Sequence, residues 1–66
     1  MNKQSAIELA NELANEAETE GMSNLYHILQ ADNQDIWSVQ ESIEVEGELH
    51  PLRAWISPEI SFSLIT

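Results

Sequence analysis

The sequence predicts an α+β fold, with one N-terminal helix packed on a three- to four-stranded antiparallel β-sheet. Two patterns carry this prediction. Apolar residues recur at helical spacing up to residue 20, and period-two alternation follows, broken by turn-forming residues. A length of 66 residues adds a third constraint: it has room for one small α+β domain over residues 1–66 and no second core.

Residues 5–20 read as the helix. Ser5-Ala6-Ile7-Glu8 has the form of a capping box, in which the Ser5 hydroxyl accepts from the Glu8 amide while the Glu8 carboxylate reaches back. Ile7, Ala10, Leu13, Ala14 and Ala17 fall on one apolar stripe with Leu9 on its flank. Gly21 stands where a left-handed residue closes a helix.

Residues 24–30 are rich in strand formers, and 31–35 are turn-like. Trp37, Val39, Ile43 and Val45 then keep period two, with Ser38, Gln40, Ser42, Glu44 and Glu46 opposite. Glu41 falls on the apolar parity, which implies a bulge or an early end to pairing. Glu46-Gly47-Glu48 reads as a turn, and 49–57 as a third strand whose Pro51 marks an edge or a bulge. Residues 59–65 alternate as a fourth strand, with a short helix capped by Ser57-Pro58-Glu59 as the alternative. Trp37 and Trp55 read as packing between sheet and helix; the alternative is an exposed aromatic anchor.

Charge sets the function class. Twelve Asp and Glu face two Lys and Arg, for a net charge of −10. Nucleic acid and anionic membranes both require cationic protein surface, so direct binding to either is disfavoured and a basic protein partner is favoured. The chain contains no cysteine, which removes disulfides, thiolate metal sites and cysteine nucleophiles, and fits a reducing cytoplasm. The N-terminal segment has no apolar core of the signal-peptide kind, and no apolar run is long enough to span a bilayer.

Catalytic and metal signatures are missing. His27 and His50 lie 23 positions apart without a metal-binding spacing. Asp32-Asn33-Gln34-Asp35 lacks the central glycine and the distal glutamate of a calcium loop. Neither glycine belongs to a phosphate-binding fingerprint, and so short a chain has little volume for a cleft that would separate two carboxylate pKa values. The expectation is a binding protein that is not an enzyme, uses no cofactor or metal, and favours the monomer.

Two rows of carboxylates are the candidate binding surface. Glu8, Glu12, Glu16 and Glu20 follow strict i, i+4 spacing and form a ridge, with carboxylates about 6 Å apart along the axis. Glu18 adds charge on its flank. Like charges at this spacing destabilise an exposed helix, and Glu16, Glu18 and Glu20 also stand near the negative end of the helix dipole. Local rules broken repeatedly with one sign are expected at functional sites. Glu44, Glu46 and Glu48 alternate, so a continuing strand would align them on one face at about 6.8 Å spacing. Asp32 and Asp35 charge the other turn. Duplex DNA carries one phosphate per roughly 3.4 Å of axis on each strand, and two ordered carboxylate rows could occupy a groove built for that backbone.

A small cysteine-free chain with a glutamate-ridged helix (Ser5 to Glu20) ahead of a short acidic β-meander (Leu25 to Ile65) resembles the bacteriophage anti-CRISPR proteins. Among these it most resembles the small acidic inhibitors of type I systems and leans toward the type I-C group. The resemblance rests on size, charge and layout across the whole chain. It implies binding to a subunit of the CRISPR-Cas surveillance complex Cascade, contact through the two glutamate rows, and action in the cytoplasm of a bacterial host. The alternative is a small acidic interaction module, such as an antitoxin, an anti-restriction protein or a regulatory subunit, pairing through an exposed edge near Pro51.

Overall fold

Asn2 sets the start of the helix. Its backbone is extended (φ −77, ψ 171) and its Oδ1 accepts from the Ser5 amide at 2.8 Å, so α1 runs Lys3–Thr19. The capping box expected at Ser5 is therefore not formed. Ser5 already lies in the first turn, and Glu8 instead accepts from Gln4 Nε2 at 3.1 Å. Asparagine is at least as good a cap as serine, and capping at Asn2 instead of Ser5 adds nearly a full turn of helix. The other end forms as expected. Gly21 adopts φ +74, its amide donates to Glu18 O at 3.0 Å, and the Met22 amide donates to Ala17 O at 2.8 Å. These are the two bonds of a Schellman closure.

The structure, a computed structural model, describes residues 1–65. After α1 come β1 (Leu25–Gln30), β2 (Trp37–Val45), β3 (Glu48–Ser57) and β4 (Ile60–Ser63). All neighbouring pairs are antiparallel, and the order across the sheet is β1-β2-β3-β4. The fold is thus α+β, with the fourth segment a strand. Ser57-Pro58-Glu59 makes the turn into it, with Ser57 Oγ accepting from the Ile60 amide at 3.1 Å.

A bulge occurs where Glu41 breaks the alternation, but the extra residue is on the opposite strand. Glu41 pairs with Arg53 and Ser42 with Pro51, leaving Leu52 of β3 without a partner on β2. Pro51 has no amide hydrogen for the ladder, so the irregularity settles beside it. Strand β3 is an inner strand, so Pro51 does not sit on an edge strand, although β4 pairs only from Arg53 onward.

The helix packs on one face of the sheet, over β1 and β2. Ala6, Leu9 and Val39 form its buried centre, at 0%, 7% and 0% exposure. Met1, Ala10, Leu13, Tyr26, Ile28, Trp37 and Trp55 pack around them. Leu9, expected on the flank, is thus central, while Ala14 is exposed. The stripe 6-9-13-17 puts both leucines of the helix toward the sheet, and small Ala6 and Ala17 let the backbone approach it. Both tryptophans take the packing role: Trp55 lies 6.4 Å from Tyr26, ring to ring.

The turn between β2 and β3 has two residues, Glu46 at φ +53 and Gly47 at φ +84. Two positive φ values match the right-handed twist of a tight hairpin. Gly47 suits its position, whereas glutamate in the left-handed region costs about 1 kcal/mol.

Candidate protein-binding surface

Glu8, Glu12 and Glu16 stand on consecutive turns of α1, and Glu20 is its C-cap, at φ −85 and ψ 2. All four are exposed, as is Glu18. Each i, i+4 step advances about 40° around the axis. The ridge therefore winds rather than running straight, and its last members turn toward the sheet. Glu12, Glu16 and Glu20 border one shallow groove with Asn15 and Thr19.

The expected strand row is not formed. Strand β2 ends at Val45, Glu46 occupies the turn, and Glu48 starts β3 opposite Val45. By register, Glu44 belongs to the face away from the helix and Glu48 to the helix side. A two-residue turn reverses the chain inside the presumed row, so the three carboxylates cluster around a hairpin tip instead of lining one face. Asp32, at φ 46, is exposed in the β1–β2 turn. Asp35 has an internal partner set: its Oδ1 accepts from the Lys3 amide at 3.3 Å and from Trp37 Nε1 at 3.1 Å. That places an anion at the positive end of α1 and ties the turn to the start of the helix.

The chain's own cations leave the acids uncompensated. Lys3 Nζ lies 5.3 Å from the centre of the Trp37 ring, and Arg53 Nη1 donates to Ser61 Oγ at 3.1 Å. Among the described residues the only side-chain contact between a basic and an acidic residue is His50 Nε2 with Glu48 Oε2, at 4.0 Å and exposed on both sides. Every acidic residue except Glu41 is exposed.

Glu41 is the site residue that the sequence reading missed. It is half-buried on the helix side, and its Oε2 accepts from the Tyr26 hydroxyl at 2.6 Å. Both line a cleft of about 360 Å³ between the C-terminal half of α1 and the sheet. Leu13, Ala17 and Leu52 form its apolar walls, while Glu16 and Glu20 bring the end of the ridge to its rim. The available signal was the misfit itself, a charge on the apolar parity of β2. Among the described residues, no three His, Cys, Asp or Glu side chains converge to hold a metal ion. No described helix is long and apolar enough to cross a membrane.

Burial pushes the Tyr26 hydroxyl up to about 12 from its usual 10.0, helped by the hydrogen bond to Glu41 and the negative charge of that carboxylate. An acid whose folded pKa is raised keeps its proton longer in the folded state than in the unfolded chain. Above pH 10 the folded state then binds more protons, so stability falls as pH rises from about 10 to 12. Urea melts across this window are expected to show the loss in the parent and a smaller one in Tyr26→Phe. Equal slopes in both proteins would remove Tyr26 as the cause.

No protein-family model matches the chain, and no curated protein or solved structure matches it either.

Proposed function

We propose that the protein is an anti-CRISPR inhibitor acting as an acidic DNA mimic. It binds a basic surface of the Cascade surveillance complex in the bacterial cytoplasm and blocks target DNA binding there. The observation that carries this reading is the unneutralised acid. Twelve carboxylates meet one lysine and one arginine, and those cations are engaged with Trp37 and Ser61 rather than with the ridge. A field of one sign steers a basic partner and repels nucleic acid. The contact residues are Glu8, Glu12, Glu16, Glu18 and Glu20, which wind toward the cleft at Glu41. Glu44, Glu46, Glu48 and Asp32 form secondary charged corners at the turns, with Asp35 beside them. The chemistry is stoichiometric occupation of a DNA channel, with no catalytic step.

A competition measurement tests this. Purified protein is titrated against a type I surveillance complex and labelled target duplex at several salt concentrations. The expected result is displacement of the duplex, weakening steeply as salt rises. The protein alone should leave the duplex unshifted. Direct binding of the duplex by the protein, or duplex occupancy unchanged by excess protein, rejects the mimic.

A further inference from the structure

The face of the sheet turned away from α1 has no covering layer. Register places Leu25 and Leu29 of β1, Leu49 and Ala54 of β3, and Phe62 of β4 on it, with Ile60 alternating onto the same side. The five large side chains are exposed by 40% to 55%. Between them stand His27 of β1 and Ser38, Gln40 and Ser42 of β2, and only Glu44 at one corner carries an acid. A chain of net charge −10 thus keeps one broad face almost free of charge while its acids crowd the helix and the turns.

We infer that this face pairs with the same face of a second copy of the chain, giving a two-fold dimer of stacked sheets with the helices outside. Charge selects the occupant. A basic partner would find no counter-charge here, whereas a second copy brings an equally neutral, apolar surface and keeps the two glutamate ridges on opposite outer sides. Size permits it. Strands of 6, 9, 10 and 4 residues, at about 3.3 Å per residue and about 4.8 Å apart, give a face of roughly 450 Å² in projection. Standing side chains raise the accessible area above the projection. Two such faces stacked together cover on the order of 900 Å² in projection, the small end of specific interfaces, where association is weak and reversible. Need points the same way. The buried apolar residues of the described chain are only Ala6, Leu9, Ala17 and Val39, and there is no cysteine. Domains this small commonly add a disulfide, a metal or self-association to so limited a core. Where the sequence alone favours a monomer, the uncovered face supports two copies. The inference stands independently of the proposed partner, because the pairing face and the glutamate ridge lie on opposite sides of the sheet.

Sedimentation equilibrium of the full chain up to about 100 µM, above the micromolar range expected of an interface near the lower size limit, tests this. The expected mass is twice 7.5 kDa, and added salt should tighten the dimer by screening repulsion between two chains of charge −10. Phe62→Glu and Leu29→Glu, at opposite sides of the face, should each weaken dimerisation at least about tenfold. Both positions are half exposed in the single chain, and circular dichroism should show each variant folded. Met22→Glu, exposed beside the helix end away from this face, should dimerise like the parent. A monomer mass throughout the parent's concentration range overturns the inference. So does a dimer that both face variants leave unchanged, or one that Met22→Glu disrupts equally.

Discussion

Glutamine at Glu12, Glu16 and Glu20 together is expected to leave the fold intact while slowing association with the partner at least about tenfold. The substitution keeps side-chain length and nearly the same helix propensity, so it tests charge alone. Each like-charge repulsion removed should return a few tenths of a kcal/mol to the helix. The three side chains are exposed, and no hydrogen bond involves their carboxylates among the described residues, so nothing in the core opposes the change. The structure also releases Glu8 for the same test. Its partner is the Gln4 amide rather than a capping bond, and Asn2 holds the helix start. Stopped-flow association and thermal melts of the triple and quadruple variants should therefore diverge, with slower binding and equal or higher melting temperatures. Unchanged association would reduce the ridge to a solvated face and leave the acidic reading on the hairpin tip.

Leu9→Ala is expected to remove about 3 kcal/mol of stability. Leu9 is 7% exposed and lies between Ala6 and Val39, so truncation leaves a cavity that neighbouring alanines cannot fill. A chain of 66 residues has a total stability of about 3–10 kcal/mol, so the loss takes a large share of it. The melting temperature should fall by more than about 10 °C. A fall below a few degrees would mean that the helix is not held through this contact.

The parts of the fold that were legible in the sequence depend on a short-range physical demand that one residue type meets. Gly21 announced the helix end because a left-handed closing residue favours glycine, and Gly47 announced its turn for the same reason. The helix start was misplaced because the Ser5–Glu8 spacing has the form of a capping box, whereas Asn2, a residue equally suited to a cap, holds the helix in the packed structure. The bulge was legible from the misplaced Glu41, but its strand was not, since a mismatch between two strands can be relieved on either. Reading Glu44, Glu46 and Glu48 as one row failed because alternation has meaning only while the strand continues. The apolar parity of β2 put Glu41 on the covered face, but its pairing with Tyr26 and its place in a cleft depended on where the end of α1 lies, which β2 does not encode. The same missing information hid the uncovered face. Leu25, Leu29 and Phe62 each fit a strand locally, and only the register gathers them on the side the helix leaves open.

The order β1-β2-β3-β4 has a kinetic consequence. Every strand lies beside its neighbour in sequence, so each hairpin closes a short loop before the next one begins. Loop-closure entropy grows with separation, and here the sheet can be assembled without any long search. The distant contacts are those that bring the N-terminal segment back onto the sheet, among them the Trp37 amide donating to Met1 O at 2.6 Å. The meander can therefore form as a local event, with docking of the helix as the late step that makes it permanent. A chain built this way passes quickly through the stage at which bare strand edges invite aggregation, even though its finished core is small.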